Sequence, residues 1–265
     1  MHDSAAWSWR LPGPPAPERL AGWAVEDGGV VGSTQDLARE RPPWTAVVAR
    51  AQTGGRGQRG RAFVSAPGGL YVSAVLPYAG GALRTRGFAL GIGWALRETL
   101  RRAGASGLRL RWPNDLMVGR RKVGGILVEQ AGPATLLVGV GLNVVNRPGR
   151  DDPALTDSAG RLRDAFARGH LPSRDRLLEL VLRAVRVAHA EFGRRELRGF
   201  VGLLNRCWGR SRRVQLDLAG SPGEAGGAEG WFAGIEPDGG VRLDDGTGRS
   251  RIVPPHRIDR LRELD

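Results

Sequence analysis

Lysine is almost missing from this chain: its 265 residues hold 40 Lys and Arg together, and Lys122 is the only lysine among them. Cysteine is as scarce, and the single Cys207 cannot form an intramolecular disulfide. The four histidines, His2, His170, His189 and His256, lack ligand spacing, so with one cysteine no zinc site is credible. No apolar run reaches a membrane span: Thr135 to Val145 is about half the required length and contains two glycines and an asparagine. The start MHDSAAWSWRLPGPP lacks the unbroken apolar stretch of a secretory signal. These absences predict a soluble, cytoplasmic protein. No serine occupies a nucleophile elbow either, which disfavours covalent as well as transition-metal catalysis.

Acids are absent where bases are dense. Between Arg41 and Val128 there are 15 basic residues and two acids, Glu98 and Asp115, and from Arg41 to Arg97 there is no acid at all. The formal net charge of +13 therefore belongs to this segment, and the remainder is balanced. Such a charge points to a polyanion, either nucleic acid or nucleotide phosphates. Codon bias accounts for a chain that writes Arg for Lys, but it leaves unexplained why position 122 stayed lysine.

With 41% hydrophobic residues the chain can bury a full core, and its texture divides it into a larger unit, 1–206, and a smaller one, 207–265. A first strand is expected around Gly22 to Val25. Ser33-Thr34-Gln35-Asp36 reads as a capped helix start running to Pro42. Strands are expected at Thr45–Ala51, Leu70–Leu76, Leu108–Trp112, Lys122–Glu129 and Leu136–Val144. Helical spacing of Phe88, Ile92, Ala95, Leu96 and Leu100 predicts a helix over Thr85–Ala103, and Ser173 caps an amphipathic helix through Phe192. Beyond Arg206 the short runs Val214–Leu218, Trp231–Ile235, Val241–Leu243 and Arg251–Pro254 suggest a small barrel or sandwich.

Gly55-Arg56-Gly57-Gln58-Arg59-Gly60 matches the G-x-G-x-x-G pattern, but a dinucleotide fingerprint must open a helix and meet an acid ~20 residues on. Here Arg61-Ala62-Phe63-Val64 and a strand follow, so the segment reads as a flexible loop whose Arg56, Arg59 and Arg61 can converge on phosphate oxygens. Trp112-Pro113-Asn114-Asp115 sets a carboxamide and a carboxylate just after a strand, and a hairpin would return Lys122 toward Asp115. A lysine ammonium, a mobile point charge with three donors, can bridge a carboxylate and a phosphate better than the wide guanidinium fork. Gly139-Val140-Gly141-Leu142-Asn143 ends a strand with small residues that permit close approach of a ligand.

Taken in order, Gly32-Ser33-Thr34, Gln52-x-x-Gly55-Arg56-Gly57-x-x-Gly60-Arg61, Trp112-Pro113-Asn114-Asp115, Lys122-x-x-Gly125-Ile126-Leu127-Val128-Glu129 and Gly139-x-Gly141-x-Asn143 closely resemble the biotin–protein ligases, over about residues 30 to 145. The resemblance implies an α+β fold. A mixed β-sheet flanked by helices, akin to class II aminoacyl-tRNA synthetases, would be followed by an SH3-like β-barrel. It also implies a two-step reaction in which biotin and Mg-ATP give biotinoyl-5′-AMP and pyrophosphate, and a lysine of a biotin carboxyl carrier domain then takes the biotinyl group. On this pattern Ser33, Thr34, Gln52, Gly55, Arg56, Lys122 and Gly125 would bind biotin. Arg56, Arg59, Arg61, Phe63, Trp112, Asn114, Lys122 and Asn143 would bind ATP or the adenylate. Lys122, Arg56 and Asp115 would be catalytic, Asp115 orienting the acceptor lysine. Magnesium would arrive on the ATP phosphates.

The sequence departs from the pattern at Gln35 (commonly Asn), Gln58 (often Arg), Arg111 (usually Lys) and Phe63 (Trp). Gln58 removes one cation from the loop expected to cover the adenylate, which points to weaker retention of the intermediate. With 32 residues before Ser33, a ligase without a DNA-binding domain is expected, and a homodimer is left open. The surplus basic charge would suit an acidic carrier domain. Two rivals stand beside this reading: a lipoate or octanoate ligase or transferase of the same fold, and a basic nucleic-acid-binding protein. The latter lacks stacking aromatics in its loop, where only Phe63 is near.

Overall fold

The computed structural model describes residues 18–78, 87–208, 212–219 and 227–264. Its frame is an eight-stranded mixed sheet. In chain order the strands are β1 (Glu18–Leu20), β2 (Trp23–Val31), β3 (Thr45–Gln52), β4 (Leu70–Pro77), β5 (Leu108–Arg111), β6 (Asp115–Val118), β7 (Arg121–Gly132) and β8 (Thr135–Leu142), and in space they run β1-β2-β3-β4-β8-β7-β6-β5. Only β2 and β3 pair in parallel. The short helix α1 (Thr34–Ala38) makes their crossover.

Strand periodicity gives the sheet two different faces. On one, Val72, Ala74, Val138 and Val140 belong to the main core with α2 (Phe88–Arg102) and α4 (Arg174–Arg195), the one-turn helix α3 (Pro148–Asp151) lying between these two in the chain. Helix α2 buries Phe88, Ile92, Leu96 and Leu100, and α4 buries Leu177, Leu178, Val181, Leu182, Val185 and Phe192, as their 3.6-residue spacing requires. On the other face, the registers Ser73↔Gly139, Tyr71↔Gly141 and Gly125↔Gly141 bring hydroxyls and hydrogen-only side chains together. Near α1 this face holds only the small apolar cluster of Ala38, Val47, Val75 and Leu137. A sheet floor so poor in side-chain bulk leaves room above it.

The expected strands are present, β2 extending on to Val31. The first helix stops at Ala38 instead of Pro42, since Pro42-Pro43 cannot donate to a further turn. Thr85 and Arg86, at the expected start of α2, lie outside the described residues. Elements that the sequence did not announce are β1, β6, the one-turn helix Pro148–Asp151, a last strand over Ile258–Glu263, and α5 (Arg198–Trp208), which buries only Phe200 and Leu204.

After α5 come β9 (Arg213–Leu218), β10 (Ala228–Ile235), β11 (Val241–Asp244), β12 (Ser250–Val253) and β13 (Ile258–Glu263), paired in the order β12-β11-β10-β9-β13. All four pairings are antiparallel, and β12 and β13 form the two edges. The C-terminal unit is thus a five-stranded antiparallel sheet that does not close on itself among the described residues, consistent with the SH3-like β domain expected. The division at residue 206 falls inside α5, which serves as the joint. Trp208 Nε1 donates to Leu110 O at 3.0 Å and its ring meets Phe232 edge-on at 5.0 Å, while Asn205 exchanges two hydrogen bonds with the Ile235 backbone.

Glu263 makes a second joint. Its two oxygens accept from Arg109 at 2.7 and 2.8 Å, and Arg212 adds a bond at 3.0 Å. Burial pushes this carboxyl up, but the two guanidiniums more than offset it and hold it below the usual glutamate range. A depressed folded-state pKa stabilises above the unfolded value, ~4.3, and the contribution is lost as pH falls through the folded one. The thermal midpoint should therefore drop more steeply between about pH 5 and 3 in the native chain than in Glu263→Gln, as calorimetry across that range would show.

Candidate active site

A cavity of about 350 Å³ lies over the small-residue face of the sheet. Its two ends differ in chemistry. One end is a neutral hydrogen-bonding pocket, built where β2 turns into α1. Ser33 caps the helix, its Oγ accepting from Gln35 N at 3.3 Å. Thr34 is held from three sides: its amide and hydroxyl both donate to Gln52 Oε1, at 2.8 and 3.0 Å, and Oγ1 lies 2.8 Å from Ser73 Oγ. Gln52 Nε2 donates to Ser65 Oγ at 2.9 Å, and Ser65 Oγ to Phe63 O at 2.9 Å. Both polar atoms of Gln52 are thereby engaged within the protein, so this side chain orients Thr34. Thr34→Val strips a hydroxyl shared by Gln52 and Ser73 and should cost about 1–3 kcal/mol of unfolding free energy in denaturant titration.

Gln35 completes this end. Its Nε2 donates to Glu129 Oε2 at 3.2 Å, which Arg39 also contacts at 3.3 Å, while its buried Oε1 has no hydrogen-bond partner. Gln35 is also one of the residues lining the cavity, and an unpartnered acceptor there can take a ligand N–H or O–H.

The other end is cationic. Asp115 is buried at the start of β6, with Lys122 Nζ 2.6 Å from Oδ1 and Arg111 Nη2 2.7 Å from Oδ2. The hairpin from β6 to β7 thus returns Lys122 to Asp115 as expected. Lys122 Nζ also stands 5.7 Å from the centroid of the Phe63 ring. Arg56, Arg59 and Arg61 all line the cavity. The first two do not converge, because carboxylates on different elements engage their forks. Arg56 binds both oxygens of Asp36 on α1, one at 3.0 Å, and Arg59 binds Asp259 on β13. The hydrogen bond from Arg56, against a small effect of burial, holds the Asp36 carboxyl below its usual range.

Asn114 donates to Ile126 O at 2.7 Å and tethers the Trp-Pro-Asn-Asp turn to β7, while Trp112 Nε1 reaches Gly239 O at 3.3 Å. At the end of β8, Asn143 donates weakly to Lys122 O at 3.5 Å and keeps a buried Oδ1 without a partner. Glycine makes the close approaches possible. A Cβ on Gly125 would lie 3.2 Å from Lys122 Nζ, and one on Gly141 would lie 2.7 Å from the Phe63 ring.

Residues 30–144 match the model of the Biotin/lipoate A/B protein ligase family. The biotin–[acetyl-CoA-carboxylase] ligase of Paracoccus denitrificans is 30% identical over 220 residues, 80% of this chain and 88% of the relative. The chain belongs to the biotin–protein ligase family. The bifunctional ligase/repressor BirA of Escherichia coli is 37% identical over 138 residues, 49% of this chain and 43% of that protein. A solved biotin protein ligase from Aquifex aeolicus, in complex with biotin and ATP, superposes with a TM-score of 0.74 at 26% identity, covering 90% of this chain and 98% of that one.

Within this ligase fold 13 of the 14 residues expected at the site line one cavity, and the buried Gly55 does not. Sequence reasoning missed Ser65, Ser73, Asp36 and the β13 segment Asp259–Leu261. Only Ser73 left a signal, a small hydroxyl in the strand Leu70–Leu76, which is otherwise apolar but for Tyr71. Among the described residues no three His, Cys, Asp or Glu side chains group as a metal site, and no helix is long and apolar enough to cross a membrane.

Proposed function

We propose that this chain activates the carboxylate of biotin with ATP and passes the biotinyl group to a lysine of a biotin carboxyl carrier domain. The observation that carries the reading is the polarity of this cavity: hydrogen-bonding side chains and the unpartnered Gln35 Oε1 at one end, a lysine and arginines at the other, and a glycine-lined floor between them. A bicyclic urea with a carboxylate tail has matching groups. Its ureido N–H and C=O suit Gln35 Oε1 and the Ser33 hydroxyl, and its carboxylate reaches toward Lys122. The dithiolane ring of lipoate offers no N–H to the orphaned acceptor, which favours biotin between the two acids.

In the first step a carboxylate oxygen bonds to the α-phosphorus and the bond to the bridging oxygen breaks, releasing pyrophosphate. Two anions must meet. Lys122, between Asp115 and the cavity, would span the biotin carboxylate and the α-phosphate, and Arg56 and Arg61 would offset the remaining charge. With Asp115 already engaged by two cations, magnesium would enter on the ATP phosphates as part of the substrate. In the second step the carrier amine attacks the acyl carbon and AMP leaves. Asp115, the carboxylate held between Lys122 and Arg111, would orient that amine.

Support comes from the family itself and from the Aquifex relative solved with biotin and ATP. The purified chain, given biotin, Mg-ATP and an isolated carrier domain, should add one biotin per carrier, read by intact mass. A carrier whose acceptor lysine is replaced by arginine should stay unlabelled. Labelling with lipoate and none with biotin would overturn the proposal.

A further inference from the structure

The glycine-rich loop over the cation end is held from the far end of the chain. Arg59 sits in the middle of the tight turn Gln58–Gly60 at φ 60°, ψ 33°, a left-handed conformation that a non-glycine residue keeps only with support from its surroundings. Its guanidinium provides that support. Nη1 donates to the Asp259 carboxylate and Nη2 to Ile258 O at 2.6 Å, so the fork grips two successive residues at the start of β13. Asp259, Arg260 and Leu261 also form part of the cavity wall, and the same unit touches the Trp-Pro-Asn-Asp turn through Gly239.

We propose that Asp259 is a positioning residue: by clamping Arg59 it lets the C-terminal sheet fix the loop over the nucleotide end of the cavity, so docking of that sheet and closure of the site are one event. The consequence for catalysis rests on the ligase reading above, whereas the clamp is a property of the ligand-free chain. The pair is partly exposed, with 43% and 45% of the two side chains accessible. Pairs of this kind contribute little to global stability, so losing the clamp should free the loop without unfolding the protein.

Trypsin cleaves after arginine only when the guanidinium is free to enter its specificity pocket, so cutting between Arg59 and Gly60 reports the clamp directly. In the full, ligand-free chain, Asp259→Asn should speed that cut about threefold, the size an exposed ion pair supports, and Asp259→Glu should return it toward the native rate. Asp217→Asn removes the partner of Arg262 on the same sheet without touching the loop, and should leave the cut unchanged. In biotin-dependent ATP–pyrophosphate exchange, Asp259→Asn should raise the KM for ATP severalfold and leave that for biotin alone.

A native rate of cutting in Asp259→Asn, or equal acceleration by Asp217→Asn, would overturn the proposal. So would a fall of more than about 5 °C in the thermal midpoint of Asp259→Asn, which would make Asp259 a structural residue. If the native chain itself shows no exchange, the ligase reading fails, and the cleavage rates still decide the clamp.

Discussion

Replacing Lys122 with arginine should keep the charge and the fold and lower biotin-dependent adenylate formation about 100- to 1000-fold, the usual cost of losing one preorganised donor to a transition state. The space around Lys122 is cut for a narrow stem. Its Nζ lies 2.6 Å from Asp115, Gly125 is so close that a Cβ there would come within 3.2 Å of the ammonium, and Phe63 stands beside it. A guanidinium is planar and wider, and Arg111 already occupies the second oxygen of Asp115. To fit, the new fork would have to displace Arg111 or push against Phe63, and either movement takes its nitrogens away from the meeting point of two anions. Pyrophosphate exchange measured beside a thermal melt separates the two effects. Near-native exchange in Lys122→Arg would mean that the lone lysine is an accident of codon usage.

Gly55→Ala should weaken biotin binding at least tenfold and cost about 1–3 kcal/mol of stability. The new methyl would lie 2.4 Å from Phe63 O and 2.6 Å from Ser65 Oγ, and the first of these is backbone that cannot swing aside. Phe63 N donates to Gly55 O at 2.9 Å, so the two strands of the loop would have to part together. The shift would carry the Phe63 ring away from Gly141 and Ser65 away from Gln52, loosening both ends of the cavity through one residue. Two positions further on, a Cβ on Gly57 meets nothing nearer than 3.5 Å, so Gly57→Ala should bind biotin as the native chain does. Calorimetric titration of both variants checks the contrast, and equal affinities would refute it.

The parts of this molecule that were legible beforehand depend on neighbours in sequence. Strands β3, β4 and β8 announced themselves as apolar runs, α2 and α4 by helical spacing, and the Asp115–Lys122 pair by a hairpin six residues across. Strand β6 escaped notice because it is four residues long and begins inside the Asn-Asp turn. Helix α5 escaped because Gly199 and Gly202 dilute its pattern and it buries only two residues.

Charge was the least legible. The segment with almost no acid pointed to a polyanion, yet carboxylates from outside it engage several of its cations. Arg41 pairs with Glu26, Arg56 with Asp36, Arg59 with Asp259 and Arg109 with Glu263. A composition window shows where bases accumulate but not the acids that fold onto them from as far as 200 residues away. The three loop arginines were accordingly expected to converge, whereas Arg56 is held by Asp36, a counter-ion that a phosphate would have to replace, and Arg59 is held by Asp259.

The most direct test of the whole account is exchange of labelled pyrophosphate into ATP by the purified chain, with biotin or lipoate as the only acid supplied. A cavity with a neutral hydrogen-bonding pocket at one end and Lys122 at the other should support exchange with biotin and none above background with lipoate. Exchange with lipoate alone, or with neither acid, would contradict it.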